Sequence, residues 1–299
     1  MKLEVKNLYK KFGETEILHG ISFDVESGKA LGLLGRNGAG KTTTIRIIMN
    51  VFRANQGEVL LDGKPVEKQQ VSIGYLPEER GLYPKKKVGE QIVYLACLRG
   101  MKPAQARKNM RRWLERMGVE EYENRKLETL SKGNQQKVQL AQTLVCDPQL
   151  IILDEPFSGL DPVNTDLFKG IIRDEINKGK YLIMSSHQMA TVEEFCTDIT
   201  ILDRSKAVLQ GNLNEIKKSY GRVNLHLKTE SDAAIYIQQA GAKIETEKEN
   251  EYQIKVAGEE QANLILTSLI HAGIPIITFD LREPSLHEIF VEKVGEAHE

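Results

Sequence analysis

The chain has 299 residues, which corresponds to about two domains of average size. Its 41 Lys and Arg residues are balanced by 42 Asp and Glu residues, so the formal net charge is −1. A protein that binds nucleic acid through its phosphates normally carries a basic excess, so this composition disfavours that class. With 40% apolar and 28% charged residues, the sequence is typical of globular proteins with buried cores.

The sequence also disfavours secretion and membrane insertion. No segment approaches roughly 18 consecutive uncharged apolar residues, and the start of the chain lacks the apolar run of a secretory signal. The three cysteines, Cys97, Cys146 and Cys196, are far apart and form no Cys-x-x-Cys pair. They fit a reducing cytosol and offer neither a disulfide framework nor a metal site.

Short apolar runs alternate with helical patterns through the first two thirds of the chain. Strands are predicted at 4–8, 17–25, 30–34, 57–63, 149–153 and 181–184, and helices at 41–50 and 165–178. Strands that alternate with helices favour a mostly parallel sheet. The sequence therefore predicts an α/β fold for this part of the chain.

A helical insertion is predicted between about residues 84 and 147. It includes a helix at 88–99 and a second helix that begins at Pro103 and stops at Gly118. The second helix has a core-facing stripe at i, i+3, i+4 and i+7, formed by Met110, Trp113, Leu114 and Met117. Its opposite, basic face is interpreted mainly as a solvated surface, with contact to lipid headgroups or an acidic partner as the alternative.

The predicted order of elements changes near residue 221. Strands are predicted at 223–229, 243–247, 252–256 and 274–279, and helices at 231–240, 259–272 and 285–294. This order, β-α-β-β-α-β with a closing helix, is the ferredoxin-like split arrangement. We therefore predict two domains, an α/β domain at 1–220 and a small α+β ferredoxin-like domain at 221–299.

Residues Gly35 to Thr42 have the spacing Gly-x-x-x-x-Gly-Lys-Thr of a phosphate-binding loop between a strand and a helix. The glycines let backbone N–H groups surround phosphate oxygens, and the helix N-terminus adds its dipole. We expect Lys41 to contact the β- and γ-phosphates and the Thr42 hydroxyl to bind Mg²⁺. A glycine-rich turn that matches by accident is the alternative. The predicted loop contacts to nucleotide are Gly35, Asn37, Gly38, Ala39, Gly40, Lys41, Thr42 and Thr43.

Two carboxylates, Asp154 and Glu155, follow the apolar strand at 149–153. Asp154 is predicted to hold Mg²⁺, and Glu155 to polarise the attacking water as general base. A strand end that merely reaches solvent is the alternative. That alternative explains one acid more easily than two, because unpaired carboxylates resist burial.

A third motif at 130–137, Leu-Ser-Lys-Gly-Asn-Gln-Gln-Lys, opens a predicted helix with Ser131 as N-cap. With the two motifs above, it resembles the signature of the ATP-binding subunits of ATP-binding cassette (ABC) transporters. The resemblance covers about residues 1–218 and implies a P-loop NTPase (ABC ATPase) core. It further implies that Ser131, Gly133 and Gln135 face the γ-phosphate held by a second subunit.

Further positions match the same family. Phe12 lies where the family has an aromatic residue that stacks on adenine, although it fits a core position equally well. Asp161 ends a loop that crosses the family's dimer interface, and His187 matches the switch histidine that contacts the γ-phosphate. The resemblance thus adds Phe12 and Asp161 to the nucleotide site and makes His187 catalytic beside Glu155. The segment from Pro284 to Phe290 resembles the accessory domain of sodium- and multidrug-type exporters.

The sequence departs from the family pattern at two places. Glu78, in a predicted loop at 75–80, replaces a Gln, and it is expected to bind Mg²⁺. An ionised Glu offers no donor to the attacking water, so we expect an altered Mg²⁺ dependence or slower hydrolysis. Lys132 and Asn134 replace the commoner Gly and Gln of the signature, and Lys132 either adds charge to the shared site or faces solvent.

The resemblance implies ATP and Mg²⁺ as cofactors, a homodimer or heterodimer of cassettes, a separate transmembrane permease and no nucleic acid. The chain is then expected to hydrolyse ATP to drive the permease, in the direction of export, from the cytoplasmic face of the cell membrane. The alternative is a soluble ABC ATPase with a regulatory, DNA-repair or translation-related role. Two features disfavour that alternative, since no long coiled coil separates the nucleotide motifs and the chain has one cassette.

Overall fold

The computed structural model describes residues 2–69, 71–79 and 81–295, which divide into two compact units. The first unit is Met1–Gln210 and the second is Gly211–Glu299. The sequence places the boundary ten residues later, after residue 220. The difference is a helix at Leu213–Tyr220, which clusters with the second unit.

The first unit consists of two sheets and six α-helices within the described residues. Its strands are β1 (Lys2–Phe12), β2 (Thr15–Glu26), β3 (Ala30–Gly35), β4 (Gln56–Leu61), β5 (Lys64–Pro65), β6 (Ile73–Leu76), β7 (Leu150–Asp154), β8 (Tyr181–Ser185), β9 (Asp198–Asp203) and β10 (Lys206–Asn212). Its helices are α1 (Lys41–Ile48), α2 (Val88–Leu98), α3 (Pro103–Arg116), α4 (Lys132–Leu144), α5 (Pro162–Asn177) and α6 (Met189–Phe195).

The larger sheet has the strand order β10-β9-β3-β8-β7-β6, and the pairs from β9 to β6 are parallel. Every residue of β3, β7 and β8 is buried, as expected for central strands of a parallel sheet. The smaller sheet, β2-β1-β4-β5, is antiparallel, and its apolar side chains share one core with those of the larger sheet. The carboxyl ends of β3, β7 and β8 therefore meet at one edge, where ligands bind in open α/β sheets.

The predicted helical insertion, which contains α2, α3 and α4, lies between β6 and β7. The stripe predicted on the second insertion helix is buried, with Trp113 2% exposed. On its opposite face, Arg111 pairs with Glu123, and Arg116 pairs with Asp174 on α5. The second pair connects the insertion to the sheet-bearing core.

Several elements of the first unit were absent from the sequence prediction. Tyr75 and Leu76, expected in a loop, lie in β6, a four-residue strand that is too short to show a period. Phe12, which follows the strand predicted at 4–8, is the last residue of β1, because this strand extends beyond its alternating part. The strands β9 and β10 and the short helix α6 also follow His187 without a strong pattern in the sequence.

The second unit begins with α7 (Leu213–Tyr220) and continues as a four-stranded antiparallel sheet with helices. Its remaining elements are β11 (Asn224–Thr229), α8 (Ala234–Gln239), β12 (Lys243–Lys248), β13 (Glu251–Lys255), α9 (Glu259–His271), β14 (Ile276–Arg282) and α10 (Leu286–Gly295). The strand order β12-β13-β11-β14 is that of the ferredoxin-like split arrangement. The apolar sides of α8, α9 and the sheet form a separate core.

Candidate nucleotide-binding site

The phosphate-binding loop lies between β3 and α1, as its motif predicts. Gly35 has φ +150°, and a Cβ there would lie 2.5 Å from the Leu202 carbonyl oxygen. Gly40 has φ +105° directly before α1. Only glycine tolerates both the backbone angles and the close approach, so the loop can turn its N–H groups toward an anion.

The Lys41 amine lies within this loop. Its Nζ donates hydrogen bonds to the carbonyl oxygens of Gly35, at 2.6 Å, and Arg36, at 3.2 Å. Burial lowers the pKa of the Lys41 amine, while the charges of Glu155, Asp154 and Glu78 act in the opposite direction. Asp154 ends β7 and Glu155 follows it, at the same carboxyl edge of the sheet as the Lys41 loop after β3.

Asp154 is the buried last residue of β7, and both of its carboxylate oxygens are engaged. Oδ1 accepts a hydrogen bond from the Ser185 hydroxyl, and Oδ2 accepts one from the Tyr75 hydroxyl at 3.4 Å. Burial and the neighbouring Asp154 charge raise the pKa of Tyr75 to about 12. Tyr75 therefore remains a neutral donor beside the acid at physiological pH.

Glu155 adopts φ +49°, a left-handed conformation that is unusual for a residue other than glycine. Its carboxylate is buried, and the segment after β8 holds both oxygens. Oε2 accepts from the Ser186 hydroxyl at 3.0 Å, and Oε1 accepts from the His187 backbone N–H at 2.8 Å. The His187 ring also reaches Oε1, with Nδ1 at 2.8 Å, while 71% of its side chain remains exposed. His187 thus touches the predicted base and faces solvent.

The oxygen donors at this edge fit Mg²⁺ chemically, because a hydroxyl and carboxylates are its preferred ligand types. Thr42 lies exposed in the first turn of α1, and Asp154 and Glu78 supply carboxylates. Among residues 2–69, 71–79 and 81–295, no three His, Cys, Asp or Glu side chains form a metal cluster.

The signature helix α4 begins as the sequence predicts. The Ser131 hydroxyl accepts from the Asn134 N–H at 3.3 Å, which caps the helix. Gln135 is buried, and its side-chain amide donates to the Leu130 carbonyl at 2.8 Å. The Gln135 side chain therefore stabilises the turn before Ser131, and its amide is directed at the backbone of its own chain rather than at a ligand.

The start of α4 lies beside the segment that follows Glu155. Gln136 Nε2 donates to the Pro156 carbonyl at 2.9 Å, and a Cβ on Gly133 would lie 3.3 Å from Asn164 Nδ2. Asn164 in turn donates its backbone N–H to Asp161 Oδ1 at 3.0 Å, so that Asp161 caps α5. The N-termini of α4 and α5 therefore lie next to each other in the same chain.

Phe12 forms a half-exposed aromatic platform at the end of β1. The Phe52 ring meets it edge-on, with centroids 5.4 Å apart, and Lys10 Nζ lies 5.1 Å from its centroid. Half of the Phe12 side chain is accessible to a planar ligand.

Sequence reasoning missed three residues that bind the two acids, namely Tyr75, Ser185 and Ser186. The serines directly precede His187, and a signal was present in that position. Because parallel neighbouring strands end at the same edge of a sheet, the residues after the predicted strand at 181–184 could have been placed beside those after the predicted strand at 149–153.

Comparison with known proteins agrees with this geometry. Residues 18–158 match the family described as ABC transporter, and residues 211–294 match the C-terminal domain of ATP-binding proteins like DrrA1-3. An uncharacterized ABC transporter ATP-binding protein of Bacillus subtilis, YhaQ, is 44% identical over 99% of this chain and all of the relative. The chain belongs to the ATP-binding subunits of ABC transporters. As a member of that family, it binds and hydrolyses ATP.

Two further ABC proteins are similar to this subunit. The linearmycin resistance ATP-binding protein LnrL of Bacillus subtilis is 28% identical and covers 98% of each chain. A solved ATP-binding subunit of an ABC transporter superimposes with a TM-score of 0.68 at 28% identity, over 74% of this chain and 93% of that one. No helix in the described part of the chain has the length and apolar character of a bilayer span.

Proposed function

We propose that this ABC subunit drives a separate membrane permease in the direction of export, from the cytoplasmic face of the membrane. The name of the full-length relative LnrL, a resistance protein, favours export over import. The C-terminal unit matches the C-terminal domain of DrrA1-3-like ATP-binding proteins, so the similarity to ABC transporter subunits includes residues beyond the nucleotide-binding core. Direction and permease are proposals that rest on these relatives and on the family.

The observation that supports the proposed chemistry is that Asp154 and Glu155, at the end of β7, and the Lys41 loop, after β3, lie at the same carboxyl edge of the parallel sheet. Residues 35–43 would cradle the phosphates, and Lys41 would neutralise their charge. Glu155, held by His187, would accept a proton from the attacking water. Thr42, Asp154 and Glu78 would hold Mg²⁺, which supplies charge neutralisation to the phosphates when bound.

The proposed active form is a dimer of cassettes in which each ATP meets two chains. Lys41 forms its hydrogen bonds inside the phosphate-binding loop, whereas Ser131 caps a helix tied to the segment around Pro156 and Asn164. The exposed positive end of α4 is a suitable site for a γ-phosphate presented by a second copy. Gly133 and the loop that ends at Asp161 would line the same contact. Gln135 would stabilise the turn before Ser131 through its hydrogen bond to the Leu130 carbonyl.

The test of the site is turnover in Glu155→Gln, a variant that keeps the size of the side chain and removes the base. We expect kcat to fall by at least about 100-fold, as for loss of a general base, with ATP still bound. Turnover within about threefold of wild type would contradict the assignment of Glu155.

The test of the transport proposal is purification of the native complex in mild detergent. An exporter subunit should sediment with membranes and co-purify with a hydrophobic protein in a stoichiometric ratio. Recovery of the chain only in the soluble fraction, bound to nucleic acid, would contradict the proposal.

A further inference from the structure

The register of β7 against β8 pairs two adjacent acids with two adjacent serines. Asp154 is the Cα partner of Ser185 in the parallel ladder, and the Glu155 N–H donates to the Ser185 carbonyl at 2.9 Å. The residues that directly follow the two strands are also in contact, because the Ser186 hydroxyl donates to Glu155 Oε2 at 3.0 Å. Each acid of the proposed site therefore has its own hydroxyl donor.

Ser185 is completely buried, and its hydroxyl donates to Asp154 Oδ1. Tyr75 donates to the other oxygen, Oδ2. An ionised carboxylate offers only acceptor sites, so the two neutral donors fix the plane of the carboxyl group. Asp154 would thereby be held in one orientation toward a bound metal ion.

Ser186 is 2% exposed and takes part in a directed chain of hydrogen bonds. The Gln188 backbone N–H donates to Ser186 Oγ at 3.0 Å, and the Ser186 hydroxyl donates to Glu155 Oε2 at 3.0 Å. A backbone N–H is only a donor, so the Ser186 oxygen accepts from Gln188 and the Ser186 proton is directed to Glu155 Oε2. The chain of bonds holds Oε2 still, while the His187 N–H holds Oε1.

The geometry points to Ser185 and Ser186 as positioning residues of ATP hydrolysis, Ser185 acting through Asp154 on the metal and Ser186 acting through Glu155 on the attacking water. This inference rests on the proposed roles of the two acids. Because the two serines act on different acids, loss of Ser186 should lower kcat and loss of Ser185 should weaken metal affinity. A purely structural role would not separate these two effects.

For Ser186, the test compares Ser186→Ala with Ser186→Thr, which keeps the hydroxyl. We expect Ser186→Ala to lower kcat by about 10- to 100-fold, because a misplaced base loses its alignment, while KM for ATP stays within about twofold. Ser186→Thr should recover most of kcat. A kcat within about twofold of wild type in the alanine variant, or equal losses in both variants, would overturn the role of Ser186.

For Ser185, the readout is metal affinity, measured as free Mn²⁺ by electron paramagnetic resonance in a titration of the ATP complex. Replacing a residue that orients a metal ligand typically weakens metal affinity about 10- to 100-fold, and we expect Ser185→Ala to do so. Its kcat at saturating metal should stay within about threefold of wild type. Unchanged Mn²⁺ affinity would overturn the role of Ser185. If Ser185→Ala does not fold, Ser185→Cys, which keeps the volume and weakens the donor, gives the same measurement.

Thr200→Val provides the matched control for loss of a buried hydroxyl. Thr200 lies on β9, is fully buried, and its hydroxyl has no hydrogen-bond partner among the described residues. We expect its replacement to leave kcat, KM and Mn²⁺ affinity unchanged. If Thr200→Val matches the serine variants in all three quantities, the serine effects reflect general packing and the inference is wrong.

A double variant separates failure of this inference from failure of the proposed site. In the Glu155→Gln background, Ser186→Ala should cause no further loss of the residual turnover, because the serine acts through the acid. A further loss of about tenfold or more would overturn the inference while leaving Glu155 as the base. Full turnover in Glu155→Gln alone would instead overturn the proposed site.

Discussion

A buried ion pair joins the end of α5 to the start of β8 and allows a quantitative test of the fold that carries the site. The Glu175 side chain is 1% exposed, and its Oε2 lies 2.5 Å from Lys180 Nζ. This contact is an ion pair without hydrogen-bond geometry. Oε1 pairs with Lys178 Nζ at 2.5 Å, and Arg116 approaches it at 3.9 Å.

The perturbation is Lys180→Met, which removes the charge and keeps an unbranched side chain. Removing one partner of a buried pair typically costs about 3–5 kcal/mol, because the other charge stays buried. Lys178 remains beside Glu175, so we expect the lower end, about 3 kcal/mol. When Glu175→Leu is added, no buried charge is left without a partner, and stability should return to within about 1 kcal/mol of wild type, since Lys178 and Asp147 are exposed.

The assay is urea unfolding followed by the fluorescence of Trp113, the single tryptophan of the sequence. Trp113 is buried in the first unit, 5.2 Å from the Arg116 guanidinium, so the signal reports the unfolding of that unit. Lys178→Met is the matched control. Half of the Lys178 side chain is exposed, and its loss should cost less than about 1 kcal/mol.

Two results would refute this reasoning. The first is a loss below about 1 kcal/mol in Lys180→Met, which would mean that Glu175 is compensated without it. The second is a double variant as unstable as the single one, which would assign the loss to packing rather than to charge.

Three further predictions concern single side chains. Glu78→Gln should shift the Mg²⁺ concentration for half-maximal ATPase activity or raise turnover, and a variant unchanged in both would show that this charge is unimportant. Phe12→Ala should raise KM for ATP about tenfold through loss of base stacking, with kcat maintained, whereas an unchanged KM would place adenine elsewhere. Asp147→Asn keeps a residue that tolerates the φ of +51° but removes the charge beside Lys180. The hydrogen bond from Lys180 lowers the pKa of Asp147, so its stabilisation is complete above the ordinary pKa and is lost as the pH falls through the lowered one. Because this side chain is 74% exposed, the variant should lose less than about 1 kcal/mol in urea unfolding at pH 7 and nothing at strongly acidic pH, and a pH-independent loss would contradict this.

The parts of the site that the sequence predicts are those in which a local motif dictates the backbone. The loop from Gly35 to Thr42 needs glycines at angles and distances that other residues do not tolerate, so its spacing alone indicates its shape. Ser131 as N-cap is likewise a local property, because the hydroxyl bonds to an N–H three residues ahead. The alternation of strands and helices predicted the α/β core, and the ferredoxin-like order of the second unit emerged in the same way.

The parts that the sequence misses depend on neighbours distant in the chain. β6 is four residues long and is stabilised as a strand by pairing with β7, some 75 residues later. The bonds of Ser185 and Ser186 depend on the register between β7 and β8, which the pattern within one strand does not reveal. The left-handed backbone of Glu155 has no signal in the residue type, because glutamate rarely adopts it.

A crystal structure of the Glu155→Gln protein grown with ATP and Mg²⁺ tests the proposed pairing of cassettes most directly. We expect two chains arranged head to tail, with each triphosphate between the Lys41 loop of one chain and the Ser131 end of α4 in the other. A structure with ATP bound at the Lys41 loop and Ser131 remote from every phosphate would contradict the shared site.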